Sequence, residues 1–233
     1  MDLADLIFLR KSCRKYSDEK ISDEEFEEIK EFIENAEVLN DSIEFSYDIL
    51  TRDNVKLQTR WSAPYYLALY SEKKDNYKEN IGFVFQQVSL FMQSLGIGSC
   101  WVGMGSPKIR KDNFIILISF GKSDDITRDL NQFNRKNKES FSDIDDDRLL
   151  PAYYAPSAVN SQPWYFKQSG EGYDVYQIRH NIVKRKILGK WNPIDMGICL
   201  SHLYVSYQDS FEFKIKDNHE ELKGYAYFGS VSF

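Results

Sequence analysis

The order strand, helix, strand occurs twice along this chain, and that repetition restricts the folds open to it. In the first copy, Tyr65 to Tyr70 is a compact apolar and aromatic run after Ala63-Pro64, which suits a buried strand. Tyr77 to Leu95 then carries Ile81, Phe85, Val88, Phe91, Met92 and Leu95 at the spacing of an amphipathic helix that stops at Gly96 and Gly98. Phe114 to Phe120 is a second β-rich run, closed by Gly121. The second copy has strand candidates at Tyr173 to Ile178 and at Gly224 to Phe228, the latter ending at Gly229, with a helical pattern over Ile194 to Tyr207 between them. Placing Gly82 over Gly197 brings Gln93 over Gln208, and Phe120-Gly121 pairs with Phe228-Gly229 after a slightly shorter interval. Two copies make no solenoid. The expectation is an ancient duplication whose halves pack against each other as the subunits of a dimer would.

The flanking segments fit one unit over residues 1–233. Residues 3 to 10 have the apolar spacing of a short helix. Ser22 with Glu25 three residues on is a capping-box pattern, and Phe26, Ile29, Ile33 and Ala36 follow at helical spacing, predicting a helix from about 23 to 36. A charged, core-poor stretch from Lys122 to Asp147 links half one, about 1–125, to half two, about 148–233. With 42% hydrophobic and 15% aromatic residues among 233, the chain fills a core of its own. The fold class expected is α+β, a mixed or antiparallel sheet flanked by helices.

Thirty basic against thirty-six acidic residues give a net charge of -6 without a basic stripe, which disfavours nucleic acid as a partner. No apolar run reaches the length of a membrane span, and Met1 to Leu6 lacks the basic start and long apolar stretch of a secretion signal, so no membrane role and a cytoplasmic location are expected. Cys13, Cys100 and Cys199 form no Cys-x-x-Cys pair, and His180, His202 and His219 have no neighbour at ligand spacing. No metal is expected.

Residues 155 to 164 read Ala-Pro-Ser-Ala-Val-Asn-Ser-Gln-Pro-Trp. Pro156 and Pro163 restrict the backbone on either side of Ser157, Asn160 and Gln162, so this polar loop meets a ligand at little conformational cost. The same run also reads as an extended turn into a strand at Trp164-Tyr165-Phe166.

Together with two other segments, Arg10-Lys11-Ser12-Cys13-Arg14-Lys15-Tyr16 and Gly96-Ile97-Gly98-Ser99-Cys100-Trp101-Val102-Gly103, this decapeptide resembles the FMN-dependent nitroreductase family. The first looks like its Arg-x-Ser-x-Arg-x-aromatic motif, the second its Gly-Leu-Gly-x-x-Trp-x-Gly segment, and the third its Ala-Pro-Ser-x-x-Asn-x-Gln-Pro-Trp loop. Here the loop follows the long helix, whereas in ordinary members it precedes it. That order resembles the Thermotoga-type subgroup, in which one chain carries two degenerate halves. The resemblance implies a nitroreductase-like fold, an internal pseudo-dimer, and FMN at the junction of the halves. The first half keeps the basic motif and glycine segment, while its counterpart of the decapeptide, placed near residues 45 to 54, has lost the motif. The second half keeps the decapeptide but has no basic motif over Phe120 to Thr127. One complete flavin site per chain follows.

The resemblance also implies roles. Arg10 and Ser12, with Lys11 between them, would hold the FMN phosphate, where arginine's planar fork suits paired oxygens. Arg14 would lie near the pyrimidine edge, and Arg135 and Lys136 would complete the phosphate pocket. Trp101, Val102 and Gly103 would pass the central ring, the Gly103 N–H pointing at flavin N5, with no side chain as catalyst. Pro156, Ser157, Ala158 and Asn160 would form the opposing cradle, Ser157 and Asn160 bonding a polar flavin edge, and Gln162 would support the loop. Cys100 is expected to be a packing residue and His202 a satisfied helix residue. The electron donor implied is NADH or NADPH and the partner a small-molecule oxidant such as a nitroaromatic or quinone, with the chain a monomeric pseudo-dimer or a homodimer. The alternatives are a flavin-binding or storage protein without nicotinamide turnover, since no Rossmann fingerprint is present, and a flavin-free scaffold that binds a protein partner.

Overall fold

A computed structural model describes residues 2–181, 186 and 188–233. Its elements, in chain order, are α1 (Leu3–Ile7), α2 (Asp23–Asn35), β1 (Phe45–Thr51), β2 (Val55–Leu57), β3 (Tyr65–Ser71), α3 (Tyr77–Ser94), β4 (Ile97–Val102), β5 (Gly105–Pro107), β6 (Phe114–Lys122), α4 (Leu150–Tyr153), β7 (Trp164–Ser169), β8 (Gly172–Ile178), α5 (Asn192–Tyr207), β9 (Glu212–Lys214) and β10 (Tyr225–Ser232). The strands make two four-stranded sheets, ordered β1-β3-β6-β4 and β7-β8-β10-β9, and a two-stranded pair of β2 with β5. All these pairings are antiparallel. The fold is therefore α+β, with a sheet for each half in place of one central sheet.

The two large sheets share one connection order: two strands side by side, a long helix, then two strands whose second member returns to the middle. The helices cross at the two glycines that the sequence aligned. A methyl group on Gly82 would lie 2.1 Å from Ile194 O and 3.1 Å from Ile198 N; one on Gly197 would lie 1.9 Å from Glu79 O and 2.8 Å from Phe83 N. These contacts are reciprocal, residues 79, 82 and 83 meeting 194, 197 and 198 as an isologous interface does. The backbones touch, so only glycine fits at either position.

One core takes Leu67, Leu69, Ile118 and Phe120 from the first sheet, Phe83, Val88, Ile198 and Leu203 from the helices, and Phe166, Val175 and Val231 from the second sheet. Helix α3 is buried without a break from Asn80 to Leu90, so it is not the one-sided amphipathic helix that the spacing predicts. Its polar groups find internal partners: Ser89 bonds Ser99 at 2.7 Å, and Gln87 Nε2 donates to Glu37 O at 2.9 Å and Phe83 O at 3.0 Å. Helix α2 starts where the capping box predicts, with Glu25 N–H donating to Ser22 Oγ at 3.2 Å and Ser22 N–H to Glu25 Oε2 at 3.0 Å.

Three glycines behave otherwise than expected. Gly96, at φ +72°, does end α3, but Gly98 lies inside β4, Gly121 inside β6 and Gly229 inside β10. Each makes room for a neighbour: a methyl on Gly98 would meet Cys13 Sγ at 2.7 Å, one on Gly121 Pro64 Cγ at 2.6 Å, and one on Gly229 the Phe213 ring at 2.4 Å. Residues 45 to 51 are strand β1, paired to β3 as β7 is to β8. The segment topologically equivalent to the decapeptide is thus residues 36–45, just before β1, and not 45–54.

Candidate functional site

The basic segment after α1 is held in extended form between two neighbours. Lys11 N–H donates to Ile126 O at 3.0 Å, Arg128 N–H to Leu9 O at 2.8 Å, and Cys13 N–H to Ser99 O at 2.9 Å. Alternation then sends Cys13 into the core, fully buried, and presents Ser12 and Arg14 to the cavities.

Two adjoining cavities meet there. One, of about 270 Å³, is lined mostly by apolar groups, among them Trp61, Trp101, Gly103, Met104, Ala158 and Trp191, together with Cys100 and Asp195. The other, of about 380 Å³, is basic: Arg10, Lys11, Arg14, Arg128 and Arg135 line it with Asn134 and Asn160, and among the described residues no carboxylate does. Ser12, Arg14, Pro156, Ser157 and Val159 border both. The walls come from both halves, the first giving residues 10–14 and 100–104, the second the decapeptide and the start of α5.

Of the four arginines, Arg10 is the buried one. Only 4% exposed, it donates from Nη2 to Ser12 Oγ at 3.0 Å, while Nη1 is buried without a hydrogen bond. Burial, then repulsion from Arg128 and Arg135, lowers its pKa to about 9. Arg135 is brought to about 10 by burial and by Arg128, although it donates to Asn160 Oδ1 at 2.8 Å and Tyr154 O at 2.7 Å. Arg128 donates to Arg10 O at 3.1 Å and lies 3.9 Å over the Phe133 ring; Arg14 lies 5.9 Å over Trp61. Lys11 differs, being paired with Asp125. Four guanidinium groups converging without a carboxylate make a site for an anion with several oxygens.

The decapeptide folds as a stiff cradle. Val159, Asn160 and Gln162 have φ of +46°, +57° and +44°, the left-handed region that a β-branched valine rarely enters. Internal bonds hold it there: Gln162 N–H to Ser157 Oγ at 2.9 Å, Asn160 N–H to Ser157 O at 3.0 Å, and Ala158 N–H to Asp195 Oδ1 at 2.9 Å. The side chain of Asn160 is already engaged, its Oδ1 by Arg135 and its Nδ2 by Asn134 O at 2.8 Å, so it braces the basic cavity more than it reaches into it. Gln162 is buried as a support, accepting Lys136 N–H at 3.0 Å. Lys136 donates its Nζ to Gln162 O at 3.0 Å and lines neither cavity, so it secures the loop instead of joining Arg135.

On the opposite wall, Trp101 Nε1 donates to Gln86 Oε1 at 3.0 Å, and Gln86 Nε2 lies 3.0 Å from His202 Nε2. The other ring nitrogen of His202 lies 2.9 Å from Pro151 O, which only accepts, so Nδ1 carries the hydrogen and Nε2 accepts from Gln86. Burial keeps His202 neutral, its pKa pushed down to about 3. It is the satisfied helix residue expected, and it also fixes Trp101 at one remove. Gly103 packs under Trp191, whose indole nitrogen would be 2.5 Å from a methyl there. Cys100 is buried, its thiol pushed up by that burial.

The residues Arg10, Ser12, Arg14, Trp101, Gly103, Ser157 and Arg135, named from the sequence, come together around the two adjoining cavities. Sequence reasoning misses Arg128, Trp61, Trp191 and Asp195. Arg128 directly follows the stretch searched for a second basic motif, but the others reach the site only through tertiary packing. Among the described residues no group of three or more His, Cys, Asp or Glu is placed to hold a metal, and no helix is long and apolar enough to cross a membrane.

Residues 2–207 match the model of the family described as "Putative TM nitroreductase". A Thermotoga maritima structure described as a "putative nitroreductase" is 20% identical, with a TM-score of 0.67 over 99% of this chain and 92% of that one. A nitroreductase family protein of Clostridium difficile 630 is 19% identical, with a TM-score of 0.50 over 63% of this chain and 100% of that one. No curated protein matches the sequence.

Proposed function

We infer that this chain, which belongs to the putative TM nitroreductase family, is an oxidoreductase that works with one bound FMN per polypeptide. The observation that carries this reading is the pairing of an apolar, tryptophan-walled cavity with a four-arginine one across Ser12, Arg14 and Ser157. A flat ring with a phosphate at the end of a polar tail has that distribution of character. The buried, unbonded Nη1 of Arg10 also fits a phosphate oxygen, since an orphaned donor at full burial costs free energy until a ligand meets it.

When bound, FMN supplies a two-electron relay from a reduced nicotinamide to a small oxidant such as a nitroaromatic or quinone. Arg10, Arg128 and Arg135 would hold the phosphate, with Ser12 orienting Arg10. Arg14 would place positive charge near the ring, where it favours the reduced, more negative state. The Gly103 N–H would be the backbone donor to N5. Trp101, fixed through Gln86 and His202, and Trp191, packed on Gly103, keep water from that face. The cradle is held in its strained form before ligand arrives, which lowers the ordering cost of binding.

The halves, with reciprocal contacts at Gly82 and Gly197 and a common strand order, stand in for two subunits. Each contributes one wall to a single site. The purified protein is expected to be yellow and to be bleached anaerobically by NADH or NADPH. A protein that stays colourless with added FMN ends the flavin reading, and one that is yellow but not bleached by either nicotinamide is a flavin carrier instead.

A further inference from the structure

Gln87 and His202 stand at the same interval as Gly82 and Gly197, and each ties its half's long helix to the chain ahead of its half's first strand. Gln87 closes on that chain by itself: its Oε1 accepts Glu37 N–H at 3.2 Å and its Nε2 donates to Glu37 O at 2.9 Å. His202 gives only one nitrogen to the task, Nδ1 donating to Pro151 O at 2.9 Å. Pro151 belongs to α4, and Ala155 N–H donates back to Ala152 O at 3.1 Å, so α4 runs directly into the decapeptide. The other nitrogen points elsewhere. His202 Nε2 accepts from Gln86 at 3.0 Å, and Gln86 Oε1 accepts from Trp101 at 3.0 Å, so the second-half brace continues through both long helices to the first-half wall of the site.

The ends of this chain of bonds fix every link in it. The Trp101 indole nitrogen can only donate, and the Pro151 carbonyl can only accept. Gln86 must therefore turn its oxygen to Trp101 and its amide nitrogen to His202, which leaves the imidazole to accept at Nε2 and donate from Nδ1. Any reversed link sets donor against donor or acceptor against acceptor. Gln86 and His202 are both 0% exposed, where such a mismatch is costly. Trp101 lines the apolar cavity and not the basic one, while Gln86 and His202 line neither. The chain of bonds thus reaches the apolar end of the site alone, and it does so from the half that supplies the opposing cradle.

We propose that Gln86 and His202 are positioning residues that hold the Trp101 indole in register with the decapeptide, and so set the width of the slot that takes the ring of the ligand. This rests on the flavin reading above, which supplies the ring. The two walls come from different halves. The glycine crossing of α3 with α5 fixes the helix backbones, but a half-buried indole can still turn about its own side-chain bonds, and the bond from its nitrogen to Gln86 removes that freedom before a ligand arrives. Arg10 and Arg128 hang on other contacts, Arg10 on Ser12 and Arg128 on Arg10 O, so breaking the chain at His202 loosens ring binding and leaves anion binding as it was.

The test replaces His202 by leucine, close in size and unable to bond, and by glutamine, whose Oε1 can take the place of Nε2 as the acceptor from Gln86. Riboflavin, which has the ring without the phosphate, and inorganic phosphate, which has no ring, are titrated calorimetrically into the flavin-free protein. His202→Leu is expected to weaken riboflavin binding about tenfold, the order of one buried hydrogen bond left unpartnered, with phosphate binding unchanged; His202→Gln is expected to stay within about threefold of wild type for both. Riboflavin binding that survives in His202→Leu, that falls in step with phosphate binding, or that falls equally in both variants overturns the proposal. Wild-type protein that binds neither riboflavin nor FMN refutes the flavin reading instead, and nuclear magnetic resonance then still decides the linkage. The Trp101 indole N–H resonance is expected to shift in His202→Leu and in Gln86→Met while that of Trp61, in the same cavity, stays; a Trp101 resonance that does not move overturns the proposal. Should the variants fail to fold, the nitrogen resonances of the wild-type His202 ring decide: a hydrogen on Nδ1 is expected, and a hydrogen on Nε2, which excludes the bond from Gln86, overturns the proposal.

Discussion

Replacing Arg10 by alanine is expected to weaken FMN binding at least a hundredfold while making the flavin-free protein more stable. The two effects share one cause. Arg10 is 4% exposed beside Arg128 and Arg135, with one Nη1 unbonded, so in the absence of an anion the fold carries a desolvated and repelled cation. Its folded pKa, about 9, lies well below the ordinary value of an arginine. For a cationic group the sign then runs against folding: the protonated form destabilises the folded chain below about pH 9, and the penalty fades as pH rises from there toward the unfolded value. A bound phosphate dianion reverses the balance. Losing a buried charge-assisted partner costs about 2–5 kcal/mol of affinity, and a hundredfold corresponds to about 2.8 kcal/mol. Flavin fluorescence titration measures the first effect and thermal melting of the flavin-free protein the second. Binding within threefold of wild type, or a lower melting temperature without flavin, contradicts the assignment of Arg10 to the anion.

Gly197→Ala is expected to cost at least about 3 kcal/mol of folding stability, even though alanine exceeds glycine in helix propensity by about 1 kcal/mol. The added methyl would lie 1.9 Å from Glu79 O and 2.8 Å from Phe83 N, and backbone atoms have no rotamer by which to move aside. Gly82→Ala meets Ile194 O at 2.1 Å and is expected to do the same. Gly96→Ala serves as the contrast: nothing lies within 4 Å of its added methyl, and only the φ of +72° opposes it, at about 1–2 kcal/mol. Urea denaturation ranks the three. A Gly197→Ala protein as stable as Gly96→Ala would mean that the helices do not cross with their backbones in contact.

Much of this architecture was legible because local chemistry and global packing agree. The Ser22–Glu25 box starts α2, the apolar runs at Tyr65 and Phe114 are strands, and the stretches from Tyr77 and Ile194 are the two long helices. Glycine misled where it serves packing and not a turn. Gly98, Gly121 and Gly229 are strand residues that admit Cys13, Pro64 and Phe213, and no local pattern separates that use from a stop. The burial of α3 on all sides was hidden because its polar residues, among them Gln86 and Gln87, look solvent-facing until their partners are placed. In the site, the motifs carried Arg10 to Arg14, Trp101 to Gly103 and the decapeptide. What each polar group faces was not legible. Asn160 and Lys136 read as ligand contacts, yet their bonds go to Arg135, Asn134 and Gln162, because a loop with three residues at positive φ spends its polar groups on holding itself. Trp191 and Asp195 lie at the start of α5, ahead of or inside a helical pattern that carries no sign of a cavity.

A single site shared between two unlike halves is the central claim, and the number of flavins bound tests it most directly. The flavin-free protein titrated with FMN, the end point read by flavin fluorescence against protein concentration by amino-acid analysis, is expected to saturate at one FMN per polypeptide. Saturation at two would mean that each half builds a site of its own, and no binding at all would remove the flavin from the account.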